Sequence, residues 1–493
     1  MTAAPAPELD LDGLRVLVER RMGLVFHPHQ IQTLIDAAQD TVRHFRYSDA
    51  RQLHHAIAQL PDGAPELDYL ISRITVSESF FFRDAAQMDF LRREYLPTLI
   101  RRRRRQKNRT LRIWSAAAAA GQELYSVAML LRELLPDVDE WNLHLLGTDI
   151  NAQALHSAVE GRYSEWSMRA MDAAQRAQHF LPDAGDGARL KPELVRMARF
   201  SILNLAGDGF PSMAANLHSF DLILCRNVFI YFDQRRVHHI LSRIVDCLVP
   251  SGVLMLGASD VVAVDIDGLE TLQRDGMCYY RQLDRTGASD IAPLAELAPL
   301  TAGRAAHQSL GTHQPSAAPS VADGLRTQIG ELARQAQWQD VVSVAERAAL
   351  HGLRDDAQTC RHVATAFGNL GRHEEALDWC ACCLALSPVD AEAHFLQALL
   401  QVEAGKDMAA LEAFRRTLYL APDMLEAHHQ MALLQLRIGN RDKGLRSLRN
   451  ALQLARRQSA EPAGSRREIA SRMVDVIQND LVIHDQEEDH EQR

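Results

Sequence analysis

Residues 111–126 read LRIWSAAAAAGQELYS, and residues 143–150 read LHLLGTDI. Each opens on a short apolar run and ends on a change of chemistry. The first passes into small residues and then Gly121; the second closes on Asp149. Apolar runs of this length between helical patterns predict buried strands. Small residues after a strand, with a glycine opening the next helix, let a ligand approach the backbone closely. An acidic residue at the carboxyl end of the following strand is placed to receive ribose hydroxyls. The alanine run is not GxGxxG, so a dinucleotide fingerprint is absent. On these two features alone, a nucleotide site and a plain α/β turn both stand.

The alternation continues outward. Strands are predicted at Leu111–Trp114, Leu143–Gly147, Asp221–Cys225 and Val253–Leu256. Helices are predicted at Glu123–Leu135, Ala152–Glu160 and Gln234–Leu248, the last stopped at Pro250-Ser251-Gly252. Such alternation predicts an α/β, Rossmann-like domain whose mostly parallel sheet is covered on both faces. Upstream, LRVLVERRMG and HQIQTLIDAAQDTVRHF carry apolar residues at helical spacing, so residues 1–75 read as an N-terminal helical domain and residues 76–285 as the α/β domain. Residues 286–322 are rich in Ala, Pro, Ser, Gly and Thr and read as a flexible linker.

Beyond the linker lies an internal repeat. Gly371, Gly405 and Gly439 recur at intervals of 34 residues, as do Ala364, Ala398 and Ala432, and Cys383, Thr417 and Ala451. Glycine at an inter-helix turn, a small residue at a helix crossing and Pro388 or Pro422 after the second helix match the tetratricopeptide (TPR) pattern. Residues 323–458 are therefore expected to form an all-α TPR solenoid, with a degraded first unit at Asp323–Asp356. Residues 459–493 read as a capping helix (Ser465–Ile483) and a polar tail. Such arrays bind peptides or partner proteins, so an unknown protein or peptide ligand is expected.

The 493 residues are 47% apolar and 24% charged, ordinary globular values. No run of about 18 uncharged apolar residues occurs, so no direct membrane insertion is expected. The first twelve residues lack a basic segment followed by an apolar core, and the expected location is cytoplasmic. A net charge of −10 gives no bulk attraction to nucleic acid, and no nucleic-acid partner is expected. Arg101–Arg105 is a local basic run. It reads first as a solvated helix end suited to the C-terminal dipole, second as steering for an acidic partner and third as a nucleic-acid contact. Seven cysteines without secretory context read as reduced thiols. Cys380 and Cys383 fall where TPR helices pack, so no metal is expected there.

Two further stretches complete the pattern: SESFFFRD at Ser77–Asp84 and DLILCRNVFIYFD at Asp221–Asp233. Taken with WSAAAAAGQELYS and GTDI, they make the chain from about Leu11 to Arg285 resemble the CheR family of chemoreceptor glutamate methyltransferases, of which TPR-bearing members form a subclass. The resemblance implies S-adenosylmethionine as methyl donor, S-adenosylhomocysteine as product and no metal. It implies as substrate glutamate side chains on the cytoplasmic helical bundle of methyl-accepting chemoreceptors. Carried over residue by residue, it places Arg83 beside the transferred methyl and Tyr231 facing the active site. Cofactor contacts would come from Ser77, Ser79, Arg83, Gly121, Glu123, Asp149, the Asn204-Leu205 pair, and Arg226 with Asn227. Asp149 also has an ordinary reading as the N-cap of the helix at Ala152, and Tyr231 one as a core aromatic.

The chain departs from the family pattern in its loop. Alanine replaces the usual Cys, Ser and Thr, Gln122 replaces the first Glu, and Leu124 replaces Pro. The alanines remove hydroxyls but keep the backbone N–H groups. A catalytically degenerate domain serving a TPR scaffold is the alternative reading. The resemblance also concerns a small β-subdomain with which some members dock on a receptor-tail pentapeptide. The matching stretch, Leu181–Phe200, reads as lacking the full insertion, so a pentapeptide-independent enzyme is expected.

Overall fold

The computed structural model describes residues 11–27, 30–75, 79–183, 187–207, 209–257, 260, 268–274, 277–283, 321–348, 353–460 and 465–485. The expected linker lies outside these residues, apart from its last two positions.

Four helices come first: α1 (Leu11–Met22), α2 (Ile31–Phe45), α3 (Ala50–Gln59) and α4 (Pro65–Ile74). Their apolar stripes meet in one core that includes Leu14, Leu34, Leu53, Ile57 and Leu70. Asp49 caps α3, accepting from the Gln52 N–H, and Pro65 at the first turn of α4 suits its fixed φ. Next come α5 (Ala85–Phe90), a π turn at Leu91–Tyr95 and α6 (Leu96–Arg105).

The α/β domain then runs β1 (Thr110–Ala116), α7 (Gln122–Leu134), β2 (Asn142–Asp149), α8 (Ala152–Glu160), β3 (Arg162–Ser164), α9 (Ala173–His179), β4 (Phe180–Pro182), β5 (Gly187–Leu190), α10 (Pro192–Val195), β6 (Ala198–Ile202), β7 (Phe220–Cys225), α11 (Gln234–Asp246), β8 (Leu248–Leu256), β9 (Leu269–Arg274) and β10 (Met277–Gln282). Seven strands form one sheet in the order β6-β2-β1-β7-β8-β10-β9. The first five are parallel, and the β9–β10 hairpin is antiparallel. Strand β1 is hydrogen-bonded to β2 on one side and β7 on the other. The strand order reverses there, and a crevice opens outside the carboxyl ends of the strands. Trp114 and Ile113 on β1 are fully buried on opposite faces, as a sheet covered on both sides requires.

Two sequence expectations change here. Gln234–Leu248 is not all helix: α11 ends at Asp246, and Leu248 already starts β8. Pro250-Ser251-Gly252 lies within that strand, with a register shift opposite Phe220 and Leu222, so it bends a strand rather than ending a helix. A small β-subdomain is present. Strands β3, β5 and β4 make a separate antiparallel sheet, and residues 184–186 lie outside the described residues.

The basic run is not simply solvated. Arg103 forms an ion pair with the buried carboxylate of Asp221, Arg104 reaches Asp137 at 2.6 Å, and Arg109 pairs with Glu140. Burial pushes the Asp221 pKa up, and Arg103 pulls it back toward the charged form.

The C-terminal region stacks α12 (Val321–Arg334), α13 (Trp338–Arg347), α14 (Ala357–Asn369), α15 (His373–Leu386), α16 (Ala391–Glu403), α17 (Asp407–Leu420), α18 (Leu425–Arg437), α19 (Arg441–Ser459) and α20 (Ser465–Asp485). Helix α12 begins two residues inside the stretch read as linker. Three helix pairs turn at a glycine in the left-handed region, Gly371 at φ +74°, Gly405 at +67° and Gly439 at +82°, while the first pair, α12 and α13, turns at Ala336. L side chains rarely adopt that conformation, which is why glycine recurs there. Ala364, Ala398 and Ala432 are fully buried at the crossings. Cys380 and Cys383 pack inside the array, and burial raises their pKa values to about 12 and about 11. No described helix is long and apolar enough to cross a membrane.

Candidate functional site

The crevice at the carboxyl ends of β1, β2 and β7 is the site. Its first wall is the loop after β1. Ala117 and Ala119 both hold positive φ, at 63° and 48°, and turn the backbone into the cleft. The Ala118 N–H donates to the Thr148 carbonyl at 2.9 Å, and the Ala119 N–H to Asp149 Oδ2 at 2.9 Å. Small side chains suit this wall because Ala118 is buried within 3.1 Å of where a Cβ on Gly147 would sit.

Gly121 does not line the cleft. It holds φ +83° and opens α7. An added Cβ would lie 2.9 Å from Phe200, 3.0 Å from Ala158 and 3.1 Å from Tyr125. It serves the tight turn and close helix packing.

Asp149 ends β2 and lines the cleft. Its Oδ1 accepts from the Asn151 N–H and its Oδ2 from the Ala119 N–H, both at 2.9 Å. Burial pushes its pKa up, while these N–H groups and that of Ile150 pull it down. Asp149 does not cap α8. Asn151 does, accepting from the Ala154 N–H at 3.0 Å, because it stands immediately before the helix.

Glu123 sits on the first turn of α7. Its Oε1 accepts from the Ser115 hydroxyl at 2.8 Å, and its Oε2 from Arg226 Nη1 at 3.0 Å. Arg226 also donates from Nη2 to the backbone carbonyl of Arg83 at 2.8 Å. The Arg226 guanidinium lines the cleft and is also a buried strut: it ties the turn bearing Arg83 to the first turn of α7.

Arg83 itself lies in the cleft wall, with Phe80 below it at 5.8 Å from the ring centroid. Phe81 next to it is fully buried, edge-to-face with Tyr163 and Phe180, and this anchors the turn. The Phe82 N–H donates to Ser126 Oγ at 2.9 Å. Among the described residues no carboxylate lies within ion-pair distance of Arg83. Tyr231 shares the cleft and is half-buried. Burial raises its pKa, and the Arg83 charge opposes that rise. Its hydroxyl therefore stays protonated at neutral pH and acts as a donor.

Ser79, Asn204, Leu205 and Asn227 also line this cleft, with Ile150 and Leu203 as further apolar wall. Ser77 lies outside the described residues. The Asn204 amide is engaged: Nδ2 donates to the Arg21 carbonyl at 2.9 Å, and Oδ1 accepts from the Ala206 N–H at 3.0 Å. It therefore joins the N-terminal helices to the α/β domain. The Val25 N–H donates to the Tyr231 carbonyl at 2.9 Å, and Arg236 Nη2 to the Glu19 carbonyl at 3.1 Å. Met22, Leu24 and Thr75 thus become part of the cleft wall.

Asp260 escaped sequence reasoning. It is 4% exposed and its carboxylate accepts from the backbone N–H groups of Asn227, Phe229 at 2.9 Å and Gly257 at 3.1 Å. Asn227 holds φ 58°, a conformation that this carboxylate pins. The available signal was an acid shortly after an apolar strand, the same pattern that marked Asp149.

The residues present fit S-adenosylmethionine. Asp149 offers a carboxylate to hydroxyls, Glu123 offers one to an ammonium group, and Ile150, Leu203 and Leu205 give a flat ring an apolar wall.

Comparisons with known proteins agree. Residues 77–276 match the family model described as CheR methyltransferase, SAM binding domain. The chain is 30% identical over 289 residues to chemotaxis protein methyltransferase 1 of Pseudomonas aeruginosa, covering 57% of this chain and 99% of that protein. It is 34% identical over 207 residues to the chemotaxis protein methyltransferase of Listeria innocua, covering 42% and 74%. Among solved structures, similarities include the TPR protein YrrB, at 19% identity and TM-score 0.26, covering 27% of this chain and 69% of that one. With a cleft built from the FFR turn, the alanine loop, Asp149 and the Arg226-Asn227 turn, and with the Pseudomonas relative matched over nearly its whole length, the chain belongs to the CheR family of chemotaxis protein methyltransferases.

Proposed function

We propose that this protein transfers a methyl group from S-adenosylmethionine to glutamate side chains on the cytoplasmic helical bundle of chemoreceptors, in the cytoplasm. The observation that carries this reading is Arg83: a guanidinium in the cleft wall, facing Tyr231, with no carboxylate partner among the described residues.

S-adenosylmethionine, when bound, supplies an electrophilic sulfonium methyl. The substrate carboxylate needs no base, because a glutamate with a pKa near 4.3 is already anionic at neutral pH. Arg83 would hold that carboxylate through its planar fork. Tyr231 would orient it by donating from its hydroxyl. Asp149 would accept from ribose hydroxyls, and the loop of Ala117–Ala119 would bring backbone close to the donor. What remains is alignment, and positioning alone supplies several kcal/mol (about 7–11 at best). Arg226, Glu123 and Asp260 would keep that alignment by fixing the two turns that carry the site.

The domain organisation proposed is a receptor-facing helical domain at 1–75, the methyltransferase domain at 76–285, TPR repeats at 323–458 and a capping helix beyond them. The TPR array would add a protein contact.

The alanine-rich loop favours one second reading: a domain that no longer binds its cofactor and serves as a scaffold. Calorimetric titration of the full chain with S-adenosylhomocysteine separates the two. Saturable binding, lost in Asp149→Ala, supports the enzyme. No binding to the full chain supports the scaffold.

A further inference from the structure

The segment between β6 and β7 leaves the α/β domain and enters the TPR array. Ser212 and Leu217 exchange backbone hydrogen bonds at 2.9 and 2.8 Å, which closes a tight hairpin with Met213 and Ala214 at its tip. Met213 is only 3% exposed, and its neighbours are not the α/β core. It belongs to the buried cluster of the array, with Phe367, Leu396 and Leu400.

The array clasps the backbone of this hairpin with side chains from three repeats. Trp338 Nε1 donates to the Pro211 carbonyl at 3.3 Å. Asn369 Oδ1 accepts from the Met213 N–H at 2.9 Å. Gln430 Nε2 donates to the Ala214 carbonyl at 3.0 Å. Side chains holding the main chain of a short segment, with one apolar residue sunk between helices, is how a groove recognises a peptide.

The fit is close. A Cβ on Gly368 would lie 2.6 Å from Met213 Sδ, and one on Gly371 would lie 2.5 Å from Ser219 Oγ. Asn369 and Glu403 stand 34 residues apart, at the same position of successive repeats, and both meet the α/β domain. The docked face is therefore carried by the first helices α14, α16 and α18, with Trp338 added from the start of α13. At its rim, Arg112 donates to the Asn216 and His218 carbonyls, each at 3.0 Å, and pairs with Glu403 at 3.3 Å. His218, His373 and Glu403 gather within 4.8 Å of one another, and the Arg112 guanidinium supplies the cation that this group would otherwise attract.

We propose that the methyltransferase domain's own 211–219 hairpin is the resident ligand of the TPR array. The array grips the enzyme as it would grip a peptide. An external peptide that uses the same face must displace this hairpin, so partner capture and release of the hairpin are one exchange, while α20 keeps its own contact with the domain through Asp480 and Arg199. Undocked, Met213 would be a surface residue of a loop far from the reaction, so replacing it leaves the α/β fold and the cofactor site unaltered.

The test uses the folded full chain carrying a protease site within residues 286–320. After cleavage, the two halves are run together on size exclusion, and their association is measured by dilution. Wild-type halves are expected to co-elute. Met213→Asp, on the enzyme side, and Asn369→Ala, on the array side, are each expected to weaken association at least tenfold, with S-adenosylhomocysteine affinity and helical circular dichroism unchanged. Separation of the wild-type halves would overturn the proposal. Association insensitive to both variants would also overturn it, because the contact would then lie elsewhere.

Discussion

Arg226 and Glu123 form a buried ion pair at 3.0 Å, and the pair spans the two segments on which the site is built. Glu123 is fixed on the α7 side by Ser115, while Arg226 holds the Arg83 carbonyl. Removing one partner of such a pair strands a charge away from water. Arg226→Gln should cost about 3 kcal/mol of stability. Arg226→Gln combined with Glu123→Gln should cost less than the two single changes added together. Chemical denaturation of the four proteins checks this, and simple additivity would show that the two side chains do not act as a pair.

Asp149 sits where its carboxylate meets the cleft while accepting two backbone N–H bonds. Asp149→Asn keeps the size but exchanges one acceptor oxygen for a donor. S-adenosylhomocysteine affinity should fall at least tenfold, consistent with loss of a charge-assisted hydrogen bond of about 1.5–3 kcal/mol. Calorimetry reads this directly. Unchanged affinity would remove Asp149 from the cofactor site.

In the proposed mechanism Tyr231 orients the substrate carboxylate and takes no proton. Tyr231→Phe should lower kcat by about 10-fold to 100-fold, the range of a lost positioning hydrogen bond. Binding of S-adenosylhomocysteine should hold. The wild-type rate should be flat between about pH 6 and 9, because the substrate carboxylate titrates below that range and the raised tyrosine pKa lies above it. A basic limb near pH 7 that Tyr231→Phe removes would contradict the assignment.

Asp68 on α4 faces Asp475 on α20 across an open cleft lined by both helices. Burial first, and then the charges of Asp475 and Asp62, raise its pKa to about 6. The folded state therefore holds a proton that the unfolded chain releases near pH 4. Stability from this group is full below about pH 4 and declines as pH rises toward 6. Asp68→Asn should stabilise the protein above pH 6 by about 1–2 kcal/mol, reduced from the full two-unit value because water screens a partly exposed group. The gain should vanish near pH 4. Melting curves at pH 4 and pH 8 decide it, and equal effects at both would exclude the titration.

Much of this was legible in the sequence. The β1 and β2 strands, the Asp149 terminus and the 34-residue period come from local chemistry: apolar runs, a glycine turn and small residues at crossings. The described residues carried over from the family pattern line one cleft, apart from Gly121, which packs against Phe200, Ala158 and Tyr125. What stayed hidden depends on tertiary neighbours. Strand β9, LETLQR, is an edge strand with mixed exposure and no clean alternation. The Arg101–Arg105 run reads as solvated until Asp221 and Asp137 are brought beside it. PSMAANLHS resembles any polar loop, and only the array shows why Met213 is there.

Methyl transfer to a carboxylate is read out by label transfer. The full chain is incubated with methyl-labelled S-adenosylmethionine and the cytoplasmic helical bundle of a receptor, then mapped by peptide and by alkali lability. Label is expected on glutamate side chains, released as methanol by base, and lost in Arg83→Ala with cofactor binding retained. Cofactor binding without any alkali-labile label, or label indifferent to Arg83→Ala, would contradict it.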